Sequence, residues 1–217
     1  MKGDGSVDSI ESLDNIHKDM LKEFGNIGAG NAATALSSML GTKVEISVPS
    51  VEIVELAKIP MKFEDPEELV MGVAMKAEGD AEGTFLLVMD SKASKAMLSV
   101  LIGNAPESLT DIGEFEKSAF SEIGNIMCGS YLVALSNFTG FNFTGTPPVV
   151  LVDMISAIVA EAAIQTFGES PEDYVIFIDT DIIAETLGDG IKGMLMFIPK
   201  KGAMKKILEV MGMKIDG

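Results

Sequence analysis

The sequence is poor in the residues that build disulfides and metal centres. Among its 217 residues there is one cysteine, Cys128, and one histidine, His17. A single cysteine cannot form an internal disulfide, and one Cys with one His cannot supply the four ligands of a usual zinc site. Tryptophan is absent and aromatic residues make up only 6%. Aliphatic residues and the 15 methionines must therefore fill the interior, and methionine suits irregular packing.

Positive charge is also scarce. The chain has 16 Lys and Arg residues against 33 Asp and Glu residues, which gives a net charge of −17 and a pI near 4.3. Nucleic acids are bound through Lys and Arg that displace counterions, so this composition excludes them as partners. The same charge argues against binding to anionic membranes. There is no phosphate-binding glycine loop and no basic cradle for a phosphoryl group.

Targeting signals and long apolar runs are missing as well. Residues 1–14 are polar and acidic, unlike a signal peptide. The longest apolar stretch, residues 149–164, is interrupted by Asp153 and Glu161 and is too short to span a bilayer. We therefore expect a cytoplasmic protein without membrane contact, and we expect residues 1–11 to form a flexible N-terminal lead.

The chain does contain an internal duplication. The repeated motif consists of an Asp or Ser, a Glu four residues later, an Asn three residues after the Glu, and a Pro 23 residues after the Asn. The first copy comprises Asp19, Glu23, Asn26 and Pro49, and the second comprises Ser118, Glu122, Asn125 and Pro148. Without gaps, residues 19–49 and 118–148 are identical at 10 of 31 positions. Roughly two identities are expected by chance at average residue frequencies, so the spacing indicates two repeats.

The hydrophobic periodicity predicts the same order of elements in both halves. A period near 3.6 predicts helices at residues 14–40, 91–102, 112–138 and 203–211. Alternation predicts strands within 43–54 (broken at Pro49), 69–76, 83–89, 149–154, 174–183 and 193–198. We interpret residues 155–167 as an inserted helix without a counterpart in the first half.

The predicted fold class is α+β. We expect a single two-layer domain over residues 12–217, with pseudo-repeats 12–111 and 112–217 related by a pseudo-twofold axis. Each half would be helix, three strands, helix, with mostly antiparallel strands. One half alone would expose an apolar face of its sheet, whereas two halves can cover each other.

Each copy of the motif places three polar side chains on one helix face, because positions i, i+4 and i+7 lie close together around a helix. We call Asp19, Glu23 and Asn26 the first polar triad, and Ser118, Glu122 and Asn125 the second polar triad. A solvated surface is the ordinary explanation of such a face. The Glu and Asn are nevertheless kept in both copies, while Lys22 has become Ser121 beside them. Retention of this pair favours a functional site.

The residue types suggest how such a site would work. A carboxylate can pair with a lysine, and a carboxamide can hold a water but cannot act as a base at neutral pH. A water-orienting amide serves phosphoryl transfer in small GTPases. Because the chain lacks a cationic cradle of its own, any phosphoryl chemistry would need the metal and the positive charge to come with the substrate.

Two other features suggest weaker hypotheses. The glycines Gly25, Gly28 and Gly30 superficially resemble a dinucleotide-binding loop, but no clear strand precedes them. We interpret them as sites of close helix packing, with a nucleotide-binding enzyme as the competing hypothesis. Cys128 aligns with Ala29 in the first copy, which favours a small packing residue over a nucleophile.

The doubled Asp/Ser-x3-Glu-x2-Asn-x22-Pro motif resembles the CheC/CheX/FliY phosphatases of bacterial and archaeal chemotaxis. The amino-acid sequences of residues 23–36, 122–129 and 204–211 are similar to those of the CheC branch. The resemblance covers about residues 14–213. Two motifs distinguish the chain from the one-motif CheX type. Unless these residues are a piece of a longer protein, we expect no added rotor-binding domain of the FliY type.

The resemblance implies a phosphatase acting on the phosphorylated response regulator CheY. It implies that Glu23 and Glu122 pair with a lysine of CheY, that Asn26 and Asn125 orient the attacking water, and that Asp19 and Ser118 are supporting positions. Mg2+ would be bound by CheY, and the chain itself would bind no cofactor or metal. CheD is a further expected partner, with a surface near Asp153, and we expect a monomer. The alternative is a non-catalytic binding module, either a CheD-binding adaptor or a FliY-like flagellar switch component.

Overall fold

Two long helices dominate the structure. A computed structural model describes residues 15–104, 106–167 and 174–212, and the predicted lead at residues 1–11 lies outside them. Helix α1 (Asn15–Leu40) and helix α3 (Glu114–Thr139) each have 26 residues. Both helices end at a glycine in the left-handed conformation, α1 at Gly41 (φ 65°) and α3 at Gly140 (φ 72°). These two glycines occupy the same position in the repeat. Glycine adopts this conformation at no steric cost, so both helices end at the same repeat position.

The strands form one antiparallel sheet. They are β1 (Val44–Ser47), β2 (Val51–Glu55), β3 (Leu69–Gly79), β4 (Gly83–Met89), β5 (Phe143–Gly145), β6 (Val149–Met154), β7 (Tyr174–Ala184) and β8 (Ile191–Pro199). The order across the sheet is β1-β7-β8-β4-β3-β5, with β2 also paired to β7 and β6 also paired to β3. Every pairing is antiparallel.

The two halves exchange strands within this sheet. Strands β1 and β2 of the first half pair with β7 of the second, where Val51 lies opposite Ile178. Strands β5 and β6 of the second half pair with β3 of the first. The halves meet where β4 pairs with β8, and Phe85 stacks beside its partner Phe197 with ring centroids 4.8 Å apart. The exchange makes the duplication one domain rather than two adjacent ones.

Helices α1 and α3 pack against each other on one face of the sheet, with α2 (Ser91–Ile102) and α5 (Ala203–Val210) contributing to the same core. Phe24 of α1 meets the edge of Tyr131 of α3, with ring centroids 6.1 Å apart. A Cβ placed on Gly28 would lie 2.4 Å from Tyr131 Cδ1. The absence of a side chain at Gly28 therefore allows the helices to approach closely.

The opposite face of the sheet is also covered. Helix α4 (Ile155–Phe167) and a 3-10 helix at Leu56–Lys62 cover it, burying Ile158 and Ile59 completely. The 3-10 helix follows β2 as α4 follows β6, so the prediction that α4 has no counterpart was wrong. Pro60 lies inside the shorter element, and proline does not fit the interior of a regular α-helix. The domain therefore has a partial third layer in addition to the two predicted layers.

The α+β class, the antiparallel sheet and the internal duplication are confirmed. The predicted strand at 149–154 and the predicted helices at 91–102 and 155–167 match β6, α2 and α4 at both ends. Strand β5, with three residues, was missed, and β3 and β8 extend beyond the predicted ends. Within the described residues, no helix is long and apolar enough to cross a membrane.

Candidate functional site

The first polar triad lies on the solvent side of α1. Asp19, Glu23 and Asn26 are exposed. The residues between them, Leu21 and Phe24, are each only 1% exposed. The burial pattern follows the helical period, and it directs the apolar side to the core and the triad to solvent.

The second polar triad lies in the same way on α3. Ser118, Glu122 and Asn125 are exposed, while Phe120 and Ile123 are fully buried. Both triads therefore share the helix position and exposure expected from their sequence spacing. The two triads lie on neighbouring helices: Phe24 of α1 lies 6.1 Å, between ring centroids, from both Tyr131 and Phe138 of α3, and Gly28 of α1 also faces Tyr131.

A shallow depression of about 600 Å3 adjoins the second triad. Glu122 and Asn125 line it together with Pro148, which is half-buried. Thr146 and Pro147 in the loop before β6 also contribute. The sequence motif had marked Pro148 as a boundary of the repeat, so its place beside the Glu and Asn is a finding of the structure. No sequence signal pointed to Thr146, because the first copy does not keep it.

The repeat-equivalent Pro49 lines a different cavity, of about 470 Å3. Its walls are rich in carboxylates, among them Asp90, Asp179 and Asp181. Asp179 accepts a hydrogen bond from the Ser50 hydroxyl at 2.5 Å. The surroundings of the two prolines therefore differ although the motif is the same.

Glycines on the two sides of each helix have opposite roles. On the core side, a Cβ on Gly25 would lie 2.7 Å from Val51 Cγ2, and one on Gly124 would lie 2.1 Å from Val73 Cγ1. These contacts confirm close packing as the role of Gly25. On the outer side, Gly30 and Gly129 follow the Asn of each triad by one turn, and a Cβ added to either would have no neighbouring atom within 4 Å. The prediction of close packing was therefore wrong at Gly30. The surface beside each Asn is therefore open to another molecule.

The Glu and Asn side chains of both triads are not engaged by any other residue that the structure describes. Among the described residues, Glu23, Asn26, Glu122 and Asn125 form no side-chain hydrogen bond or ion pair. No group of three or more His, Cys, Asp or Glu residues in that part of the chain is arranged to hold a metal ion. Each pair is thus free to bind a partner's charged or polar groups.

Cys128 is not available as a nucleophile. It is fully buried, its thiol lies 3.9 Å from the Val73 carbonyl oxygen, and burial raises its pKa to about 12. The thiolate is the nucleophilic form, so this residue is a packing element. Gly28 and its repeat equivalent Met127 are likewise buried and lie off the triad faces.

Comparison with known proteins agrees with the sequence motifs. The CheC-like family matches residues 16–53 and 115–152, which are the two motif segments with the strands that follow them. The CheY-P phosphatase CheC of Bacillus subtilis is 29% identical over 196 residues, covering 89% of this chain and 93% of that protein. The flagellar motor switch phosphatase FliY of the same organism is 29% identical over 150 residues, 68% of this chain and 39% of its own length.

A crystal structure of Thermotoga maritima FliY is similar in fold. The two share 28% identity with a TM-score of 0.71, and the match covers 93% of this chain and 98% of the other. Both halves of the chain carry CheC-like segments. The resemblance to the CheC/CheX/FliY family is thereby confirmed.

Proposed function

We propose that the chain hydrolyses the aspartyl phosphate of the response regulator CheY at two sites, one on α1 and one on α3. The observation that carries the proposal is the exposed Glu–Asn pair at the same place in both repeats. Core packing does not require these exposed side chains. The similarity to proteins named CheY-P phosphatase and motor switch phosphatase supports the same reaction.

Each Glu acts as the anchor of its site. Glu23 and Glu122 have no partner among the described residues, so each can accept hydrogen bonds from a lysine ammonium of the regulator. Charge-assisted bonds of this kind are shorter and stronger than neutral ones. The pairing fixes the regulator so that its phosphoryl group faces the Asn one turn further along the helix.

Each Asn positions the attacking water. The carboxamide of Asn26 or Asn125 can accept one hydrogen bond from the water and donate others. The water oxygen forms a bond to phosphorus, the bond between phosphorus and the aspartyl oxygen breaks, and its electron pair returns to the regulator's carboxylate. The amide takes no proton, so the proton of the water passes to a phosphate oxygen or to solvent. Mg2+ belongs to the substrate, where the regulator holds it and it neutralises phosphoryl charge.

The supporting positions differ between the sites. Asp19 of the first triad is Ser118 in the second, and both are exposed one turn before the Glu. Asp19 adds a negative charge near an approaching lysine, whereas Ser118 offers only a neutral hydroxyl. We propose that the two sites differ in affinity or rate for this reason and because the second adjoins the 600 Å3 depression.

Phosphate release from phosphorylated CheY tests the proposal. The variant Asn26→Ala/Asn125→Ala should lose on the order of 10²-fold in rate, by analogy with removal of one group that stabilises a transition state. Both residues are exposed, so the fold should be unaffected, as unchanged circular dichroism would show. As a matched control, Asn31→Ala removes an exposed asparagine of α1 outside the triad and should keep the wild-type rate. Near wild-type release by the double variant would refute the proposal.

A switch-component role is the second candidate. It is favoured by the similarity over most of this chain to FliY, which is named a flagellar motor switch phosphatase. In that case, or for a CheD-binding adaptor, the chain would bind its partner without accelerating CheY-P decay. CheD binding, which we place near the exposed Asp153 of β6, together with no effect on CheY-P decay would favour this role.

A further inference from the structure

A large apolar side chain is exposed one turn before each polar triad. Ile16 on α1 is 67% exposed and Phe115 on α3 is 69% exposed. The two residues are 99 apart, the offset of the repeat. A single exposed apolar side chain is common on protein surfaces. Its recurrence at the same repeat position, in both cases beside the Glu–Asn pair, calls for a shared reason.

The apolar residue and the triad share one helix face. Ile16 and Phe115 each lie seven residues before the Glu of their triad, which is close to two full turns. We define the first stripe as Ile16, Asp19, Glu23, Asn26, Gly30 and Thr34, and the second as Phe115, Ser118, Glu122, Asn125, Gly129 and Val133. Every member of both stripes is exposed except Gly129, which is partly buried. Each stripe is thus a continuous surface.

We infer that Ile16 and Phe115 are docking residues for the response regulator proposed above as the substrate, an inference that rests on that proposed function. The partner surface would present an apolar side chain about 10 Å from the lysine that the Glu binds, since two turns of helix span that distance. Phe115 lies between Glu114 and Glu116 in a chain of net charge −17. That setting favours a partner surface that is cationic around its apolar contact.

The far ends of the two stripes differ. The second stripe ends in Val133, which is 52% exposed and lines the depression beside Asn125. The first stripe ends in Thr34, whose hydroxyl donates a hydrogen bond to the Gly30 carbonyl oxygen at 3.0 Å. Of the two stripes, only the second therefore has an exposed apolar side chain on each side of its Glu–Asn pair. We expect the second stripe to bind the regulator more tightly than the first.

Binding and turnover of single variants test this inference. All variants are made in a parent protein that carries Glu23→Ala and Asn26→Ala, which inactivate the first site. In this parent, both regulator binding and phosphate release report on the second site. The probes are CheY activated with beryllofluoride and Mg2+ for binding and phosphorylated CheY for phosphate release. Phe115→Ala should raise Kd and KM about tenfold, the size expected for an aromatic anchor, and leave kcat unchanged. Phe115→Ile, which installs the residue of the other stripe, should keep most of the affinity.

The matched control is Ile164→Ala. Ile164 is 65% exposed on α4, across the sheet from α1 and α3, and its loss should not change Kd or KM. If Phe115→Ala leaves Kd and KM unchanged, or lowers only kcat, the docking role is wrong. Phosphate release by the parent would still support the proposed function in that case. If the parent neither binds nor dephosphorylates the regulator, both the inference and the proposed function fail.

Discussion

In the proposed mechanism, a carboxylate and a carboxamide divide the work at each candidate site. Glu23 and Asn26 lie on one helix face without partners of their own among the described residues. We propose that the Glu binds a cation and that the Asn orients a neutral molecule. This arrangement suits a phosphatase whose substrate brings the metal and the phosphoryl group, because the helix needs to add only position.

Residue types and spacing were sufficient to predict the two triads, since a helical period fixes which side chains share a face. The contribution of Pro148 to the second site could not be predicted, because it depends on how the loop before β6 returns to α3. The exposed apolar side chains of the stripes, Ile16, Phe115 and Val133, were also missed. An exposed apolar residue in a helix looks like a core residue until the orientation of the helix is known.

Cys128 should resist thiol reagents in the folded protein. It is fully buried and its pKa is raised to about 12, so the thiolate that reacts is inaccessible and scarce at neutral pH. Iodoacetamide at pH 8 should label it only after denaturant is added, as followed by mass spectrometry. Rapid stoichiometric labelling of the native protein would contradict this burial.

The glycines of α1 predict opposite effects of the same substitution. Gly28→Ala would place a Cβ 2.4 Å from the Tyr131 ring, and overpacking of this kind typically costs about 1–3 kcal/mol in the free energy of unfolding. Gly30→Ala has open space around it and should stabilise the helix by roughly 0.5–1 kcal/mol. Urea denaturation measures both. A neutral Gly28→Ala would show that α1 and α3 pack less closely at this position than the distance to Tyr131 requires.

The longer helices and strands could be predicted from the sequence, whereas some short elements could not. Helices α2 and α4 and strand β6 matched their predicted bounds. Strand β5 has only three residues, Phe143–Gly145, too few for alternation to be recognised, and its formation depends on pairing with β3. The 3-10 helix at Leu56–Lys62 has too few residues for a helical period and contains Pro60.

Helix α4 and this 3-10 helix illustrate how a duplicated fold can diverge. They occupy corresponding places after β2 and β6, and both contribute to the core on the sheet face opposite α1 and α3. The length of this element changed between the halves, while the helices that carry the triads kept 26 residues each. The conserved element is the one that positions the candidate sites.

At the scale of the whole molecule, the exchange of strands joins the halves into one folding unit. Within the part of the chain that the structure describes, strands β1 and β2 pair only with β7, and β5 and β6 pair only with β3. The sequence predicted two halves that cover each other, but not this exchange, because strand alternation carries no information about which strand is the neighbour.

Because of the exchange, neither half should fold as a monomer. Residues 1–111 and 112–217, produced separately, should lack a cooperative thermal transition when sedimentation shows them to be monomeric, since each leaves its first strands without their native partners. An equimolar mixture should regain the circular dichroism and the melting transition of the intact chain. A monomeric half with cooperative unfolding would contradict this account of the sheet.

The central claim is that one chain holds two separate phosphatase sites. Phosphate release from phosphorylated CheY by Asn26→Ala, by Asn125→Ala and by the double variant tests it most directly. Each single variant should keep the activity of the other site, the two residual rates should sum to the wild-type rate, and the double variant should be about 10²-fold slower. If either single variant already abolished release, or if the double variant kept the wild-type rate, the claim of two independent sites would be contradicted.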